Sequence, residues 1–219
     1  VRGGTLFRDV DYRLARTEEE REAIYALRYR AYLRIGVIRE AEDKRLTDKH
    51  DHAPNSWLFG VYVKDCLRGS IRIHLLTRDC RESLCVDRYG DILHPRLDRG
   101  EIIIDAARFV GDPDISMPEL PYSIMRLGFV ASDAFNADTG LIACSPEHGR
   151  FYERFLLYKP LLAQPHTFPG ITVKSVLIAA NFKADREKVL RRYPILGSSA
   201  FERRMLFGTD GLMPLPAAA

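Results

Sequence analysis

Glu101-Ile102-Ile103-Ile104-Asp105-Ala106-Ala107-Arg108-Phe109-Val110 is the stretch on which the reading of the fold turns. Its isoleucine run and closing Phe-Val make it the most strand-like segment of the chain, and Gly111-Asp112-Pro113-Asp114 supplies the turn residues that end it. Side chains alternate across a strand, so Glu101, Ile103 and Asp105 share one face if no bulge intervenes. Two carboxylates and Arg108 on such an apolar strand call for an explanation, because charged groups are seldom buried without partners.

Working outward, Met117 to Phe135 reads as a helix with Met125, Phe129 and Val130 among its apolar positions. Leu141 to Cys144 reads as a buried strand, Pro146 to Tyr158 as an amphipathic helix, and Ile171 to Ala179 as a long strand. Asp185 to Arg192 is predicted to be a short helix, and Ala200 to Phe207 a last strand. On the N-terminal side, Trp57 to Val63 and Ser70 to Leu76 form a hairpin, with Ser83 to Leu93 a short helix and loop. Tyr12 to Ala15 is a short strand. Thr17 and Glu20 make a capping box before a helix that buries Ile24, Leu27, Ala31 and Ile35 and stops at Gly36. The charged stretch from Arg39 to Asn55 is too polar to be core. The order is strand, helix, antiparallel strands, then strand–helix–strand–helix–strand. That defines an α/β (α+β) fold with a mixed, mostly antiparallel sheet flanked by helices.

Composition sets limits. In 219 residues, 46% hydrophobic and 29% charged is enough apolar material for one domain with a sizeable core. The expectation is one domain over 1–219, its core about 11–207 and its tail 208–219. No apolar run reaches the ~18–20 residues of a membrane span, and the first residues lack a signal-peptide core, so the expected compartment is the cytoplasm. Cys66, Cys80, Cys85 and Cys144 show no paired spacing, which favours reduced thiols. The histidines show no metal-ligand spacing beyond His50-x-His52, and no metal is expected. A net charge of +3 does not call for nucleic acid, but it permits local basic patches.

Four polar motifs then fall in order: Arg28-Tyr29-Arg30-Ala31-Tyr32, Asp48-Lys49-His50-Asp51, Ser70-Ile71-Arg72-Ile73 and Asp105-Ala106-Ala107-Arg108-Phe109. Together they resemble the acyl-homoserine-lactone synthases, a branch of the GNAT N-acyltransferase superfamily, over roughly Tyr12 to Tyr158. Two departures stand out. Val37-Ile38 replaces an aromatic that those synthases carry after the first helix, and Asp105 replaces their central-strand Glu. The text is more similar to the long-chain N-acyl amino acid synthases. That resemblance implies a sheet splayed at the central strand, a fatty acyl group carried by acyl carrier protein as donor, and a free amino acid, often tyrosine, as acceptor. It implies no permanently bound cofactor; the carrier's acyl-phosphopantetheine is itself a substrate.

Amide formation from a thioester needs a neutral amine, a polarised carbonyl and a route out for the thiolate. A carboxylate near the attacking nitrogen serves the first need, which makes Glu101 or Asp105 the candidate base, with the motif-matched Asp105 preferred. The competing account is a structural ion pair with Arg72 or Arg108. Backbone amides freed by the splay, around Phe109, Val110 and Gly111, are expected to polarise the carbonyl. Arg108 joins Arg28, Asp48, Asp51 and Arg72 in a constellation that either contacts the substrate carboxylate or orders the N-terminal segment. Tyr32 belongs to the same motif set. Phe109, Met125, Phe129 and the strand after Ile171 are candidates for the acyl slot, and Tyr152 stands where many acetyltransferases place a Tyr that protonates the thiolate. The superfamily's glycine-rich pyrophosphate loop is absent after the central strand, and the two acids of Gly111-Asp112-Pro113-Asp114 would repel a diphosphate. A carrier-protein donor fits that better. Carriers are acidic, so Arg150, Arg154, Lys159, Lys188, Arg191, Arg192, Arg203 and Arg204 are candidate docking residues, with a plain solvated face as the competing account. Two other functions remain open: a lactone synthase using S-adenosylmethionine, and a non-catalytic lipid or carrier-binding module.

Overall fold

A computed structural model of the chain describes residues 9–208 except 163 and 169. Seven strands form one sheet in the order β1-β2-β3-β4-β5-β7-β6. They are β1 (Val10–Leu14), β2 (Ser56–Val63), β3 (Cys66–Leu76), β4 (Ile103–Gly111), β5 (Thr139–Cys144), β6 (Lys159–Pro160) and β7 (Val176–Asn181). Every pairing is antiparallel except that of β4 with β5. The helices are α1 (Glu18–Arg34), α2 (Leu84–Asp98), α3 (Leu120–Ala134), α4 (Pro146–Leu156), α5 (Phe182–Arg192) and α6 (Ala200–Phe207).

Alternation along β3 sorts the two faces. Ile71, Ile73 and Leu75 pack with Ile124, Leu127 and Val130 of α3 and Phe207 of α6. Ser70, Arg72 and His74 point to the opposite face, where α1 and α2 lie, and all three are fully buried. On the α2 side, Leu93 and Leu97 pack with Ile103 and Leu141. On the α3 side, Met125 and Phe129 pack with Ile142, Ile178, Tyr152 and Val189.

Local chemistry explains the helix ends. The Thr17 hydroxyl accepts from the Glu20 amide while the Glu20 carboxylate accepts from the Thr17 amide, completing the expected capping box. Gly36 follows α1 with φ +70°, a left-handed conformation that a glycine adopts without strain.

Several expectations need correction. Ile35 is 65% exposed, because α1 ends one residue earlier. The Arg39–Asn55 stretch contributes to the interior: a 3-10 turn over Lys49–His52 buries His50 and Asp51, and Asn55 is buried where its amide donates to Leu75 O. The helix from Ser83 runs on to Asp98, past Pro95. Only Val176 onward joins the sheet. The β-branched Ile171–Val173 stretch instead turns back toward α1, where the Thr172 amide and hydroxyl donate to Val37 O at 2.9 and 3.0 Å. Ala200–Phe207 is a helix, not a strand: Ser199 accepts from the Glu202 amide as its N-cap, and Ala, Glu, Arg, Met and Leu are all good helix formers. The expected tail lies, apart from Gly208, outside the described residues. Among the described residues, no helix is long and apolar enough to cross a membrane.

Replacing Thr17 with Ala should cost about 1 kcal/mol of stability in urea denaturation, the usual worth of an N-cap hydroxyl. An unchanged midpoint would show that the Glu20 half of the box suffices.

Candidate active site

The site begins where β4 leaves β5. The two strands pair over three positions only, Ile103 with Thr139, Ile104 with Gly140 and Asp105 with Leu141. Beyond Asp105 they diverge, and the wedge between them opens into a cleft of about 850 Å³. Ala106 to Gly111 form one wall, and Ile142, Ala143 and Cys144 the other. The lining is mostly apolar and brings together Met125, Phe129 and Phe109 with Tyr32, Val110 and Tyr152. Residues from the α1–α2 side (Tyr32, Cys85, Phe168) and from the α3–α5 side (Met125, Phe182, Val189) both contribute, so the cleft passes through the splay from one face to the other.

β4 also carries a bulge. Ser70 pairs with Val110 and Arg72 with Ala107, so Ile71 alone faces Arg108 and Phe109. Arg108 has φ +54°, a conformation costly for a side chain of its size. The bulge turns Arg108 to the same face as Ala107 and sends Phe109 to the α3 side. On the α1–α2 side Asp48 holds the Arg108 guanidinium: Nη2 and Nε donate to Oδ2 at 2.6 and 3.1 Å.

Asp48 is the hub of the predicted constellation. Arg72 donates to it at 2.7 Å and lies 3.0 Å from Asp51, which also takes a 2.7 Å bond from Arg28. Arg28, Arg72 and Asp51 have no exposed side-chain surface. Burial works to raise both carboxyl pKa values, but Arg72 and Arg108 beside Asp48, and Arg28 and Arg72 beside Asp51, outweigh it and hold them low. Arg28, Asp48, Asp51, Arg72 and Arg108 are thus brought together as one ion network joining α1, the 3-10 turn, β3 and β4. Only Arg108 among them lines the cleft.

The two candidate bases are separated. Asp105 is completely buried on the α2 side, with Cys85 Sγ 3.5 Å from Oδ1. Burial raises its pKa against the opposing pull of Ser83, Cys85 and Arg72. It does not itself line the cleft, whereas Cys85, which touches it, and Ala107 do. Glu101 precedes β4 and faces away. Arg96 binds it at 2.5 and 2.8 Å and Thr139 at 2.5 Å, and these partners outweigh burial to keep its pKa low. The sharing of a face fails because Glu101 lies outside the strand, so alternation does not reach it.

Tyr152 and Tyr158 both line the cleft, their rings 5.9 Å apart, and burial pushes both phenols well above their ordinary pKa. Tyr158 was not singled out by sequence; the signal is Gly140, whose missing side chain leaves room for the Tyr158 hydroxyl 2.5 Å from where a Cβ would stand. Burial likewise raises Cys144, to about 12, and Cys85 well above its usual value. Of the basic residues, Arg150 and Arg154 are exposed on α4 beside the half-buried Phe151 and Phe155, and Lys188 and Arg191 are exposed on α5. Arg192 lies over the Tyr193 ring, Arg203 is tied to Asp133, Arg204 is exposed on α6, and Lys159 lies by Glu101 away from the cleft. They do not form one face. Among the described residues, no group of three or more His, Cys, Asp or Glu could hold a metal ion.

A splayed β4–β5 pair in such a sheet, with an apolar cleft through the splay, is the architecture of the GNAT-type acyltransferase fold. Solved structures agree on the fold. FeeM, an N-acyl amino acid synthase from uncultured soil microbes, superposes with a TM-score of 0.68 at 18% identity, covering 83% of this chain and 96% of that one. The CoA-dependent acyl-homoserine lactone synthase BjaI gives 0.58 at 12% identity, covering 83% and 84%. An N-acetyltransferase from Lactobacillus plantarum, its function assigned only provisionally, gives 0.52 at 14%, covering 78% and 96%. The family model for the N-acyl amino acid synthase FeeM matches residues 23–181. The chain belongs to that family. No curated protein sequence matches it.

His74 gives a test of the buried polar face. Burial, with Arg72 adding to it, lowers its pKa to about 3. The unfolded chain takes up this proton near pH 6.5, and the folded chain does not. Between those values stability therefore falls as pH falls, by about 1.4 kcal/mol per unit for one proton. Urea denaturation at pH 7, 6 and 5 should show His74→Leu flattening this slope by about one proton. An unaltered slope would mean that His74 titrates in the folded protein.

Proposed function

We propose that the protein condenses a long-chain fatty acyl group, delivered as the thioester of acyl carrier protein, with the amine of a free amino acid, tyrosine first among acceptors. The observation that carries this reading is the apolar cleft that runs through the β4–β5 splay and reaches both faces of the sheet. Such a passage lets an acyl chain lie on the α3 side while its thioester stands at the splay, within reach of an amine arriving from the α1–α2 side.

The loop after β4 favours a carrier protein over coenzyme A, though not by charge repulsion. Asp112 and Asp114 are paired, Asp112 with Arg68 at 3.0 Å and Asp114 with Arg34 at 2.9 Å and Arg30 at 3.4 Å. The loop instead offers no long run of free amides. Those of Asp112, Asp114, Ile115 and Leu120 are bonded within the chain, and Pro113, Pro118 and Pro121 have none. A diphosphate cradle needs several such donors at once. On the surface, Arg150 and Arg154 flank the cleft residues Glu147, His148 and Phe151, and they are the basic pair best placed to meet an acidic carrier.

Asp105 takes a proton from the substrate ammonium through a water at the Cys85–Ala107 wall; its raised pKa makes it a stronger base than an exposed Asp. The amine attacks the carbonyl carbon, the C–N bond forms, and the oxyanion is held by β4 amides that have no β5 partner beyond Asp105. The C–S bond then breaks, and the thiolate takes the Tyr152 proton, which the leaving second amine proton restores. Per turnover one amide, one thiol and one proton are released. The Asp48–Arg108 clasp holds the bulge that shapes this wall, and Arg108, at the cleft surface, is the cation available to a substrate carboxylate.

Purified enzyme supplied with hexadecanoyl carrier protein and tyrosine should release thiol and yield N-hexadecanoyl tyrosine by mass spectrometry. Asp105→Asn should lower kcat by about 100-fold and Tyr152→Phe by about 10-fold. Because ionised Asp105 is buried at a cost that appears as pH rises, Asp105→Asn should melt no lower than wild type at pH 8. Full activity in Asp105→Asn would sink its role. Methylthioadenosine released from S-adenosylmethionine would move the assignment to a lactone synthase. Equal turnover of hexadecanoyl-CoA would remove the carrier from it.

A further inference from the structure

The cleft does not end at the splay. On α3, Met125, Gly128, Phe129 and Ser132 all face it, and on α5 Phe182 and Val189 close the other side. From Met125 to Ser132 the wall advances about 10 Å at 1.5 Å per helical residue. In the middle stands a glycine, the ordinary residue least favourable to a helix interior after proline. Neither a tight turn nor a positive φ calls for it. A Cβ built on Gly128 would meet only the Ala106 Cβ, at 3.6 Å, an ordinary contact, so backbone packing does not forbid a side chain there either. What a longer side chain would occupy is the channel itself. Ser132, one turn on, has its hydroxyl bonded to Gly128 O at 2.9 Å and leaves the channel without an unpaired polar group from that residue.

Past Ser132 the wall is rigid. Asp133 accepts from Arg186 of α5 at 2.7 Å, from Arg203 of α6 at 3.1 Å and from Ser198 at 3.1 Å. One carboxylate thereby ties three helices, and Arg186 itself borders the cleft. The α3 wall is apolar from Met125 to Phe129, and toward Asn181, Asp185 and Arg186 the lining turns polar.

We infer that Gly128 sets the length of acyl chain the protein accepts: its missing side chain keeps open the passage from the splay to the Asp133–Arg186 pair, and the chain's methyl end lies between Gly128 and that pair. This rests on the reading of the cleft as an acyl site.

The test uses free fatty acids, so that it is read without turnover. Displacement of a fluorescent fatty-acid analogue by octanoate and by hexadecanoate is measured on the purified full chain and on Gly128→Ala, Gly128→Val and Gly128→Leu. Wild type should bind hexadecanoate more tightly. Hexadecanoate affinity should fall stepwise with side-chain size, by roughly tenfold or more in Gly128→Leu, while octanoate changes by no more than about threefold. Should the larger variants fail to fold, Gly128→Ala, which favours the helix, still reports the direction of the shift. Unchanged hexadecanoate affinity in a folded Gly128→Leu would overturn the inference, as would equal losses for both acids. A wild type that binds hexadecanoate but makes no N-acyl product would instead count against the proposed reaction and leave the channel assignment standing.

Discussion

The rest of the site depends on the separation of β4 from β5. A parallel pair that held its hydrogen bonds to the end would seal the sheet; this one stops after three positions. The unpaired edge of β4 then needs outside support, and Asp48 supplies much of it by gripping Arg108 at the bulge and Arg72 on the next strand. A left-handed arginine inside a strand is strained. Two charge-assisted hydrogen bonds to a half-buried carboxylate are strong enough to hold it there.

That network has three arginines and two aspartates, and much of it is buried. Ion clusters of this kind contribute less to stability than to fixing one arrangement over another. Here the arrangement fixed is the position of the 3-10 turn and α1 against β3 and β4, and hence one bank of the cleft. The other bank hangs on lighter contacts: the Ile171–Val173 stretch reaches across to Val37 by way of Thr172.

Much of the architecture was readable because it rests on local rules. Thr17 and Glu20 announced α1, Gly111-Asp112-Pro113 ended the central strand, and the hairpin of β2 and β3 followed from its β-branched runs. The four polar motifs contain all five members of the ion network, Arg28, Asp48, Asp51, Arg72 and Arg108. What failed depended on non-local facts. Ile171 to Val173 has strand composition, yet its partner is the Gly36–Val37 loop just after α1, which no local pattern reveals. Ala200 to Phe207 mixes aromatics with helix formers, and only the Ser199 cap distinguishes the outcome. Glu101 and Asp105 looked equivalent by alternation, but Arg96 and Thr139 claim one and burial claims the other. The bulge at Arg108, one extra residue in a ladder, leaves no mark on an amino-acid string unless the residue is glycine.

Cys85 and Cys144 line the cleft where the proposed reaction places a thioester. A thiolate there would be a better nucleophile than the amine and would capture the acyl group on the protein itself. Burial, by raising both thiols far above neutral pH, leaves almost none of either in the reactive form. In the proposed reaction the same apolar walls would thus also enforce chemoselectivity: they silence the protein's own sulfur and reserve the activated acyl group for nitrogen.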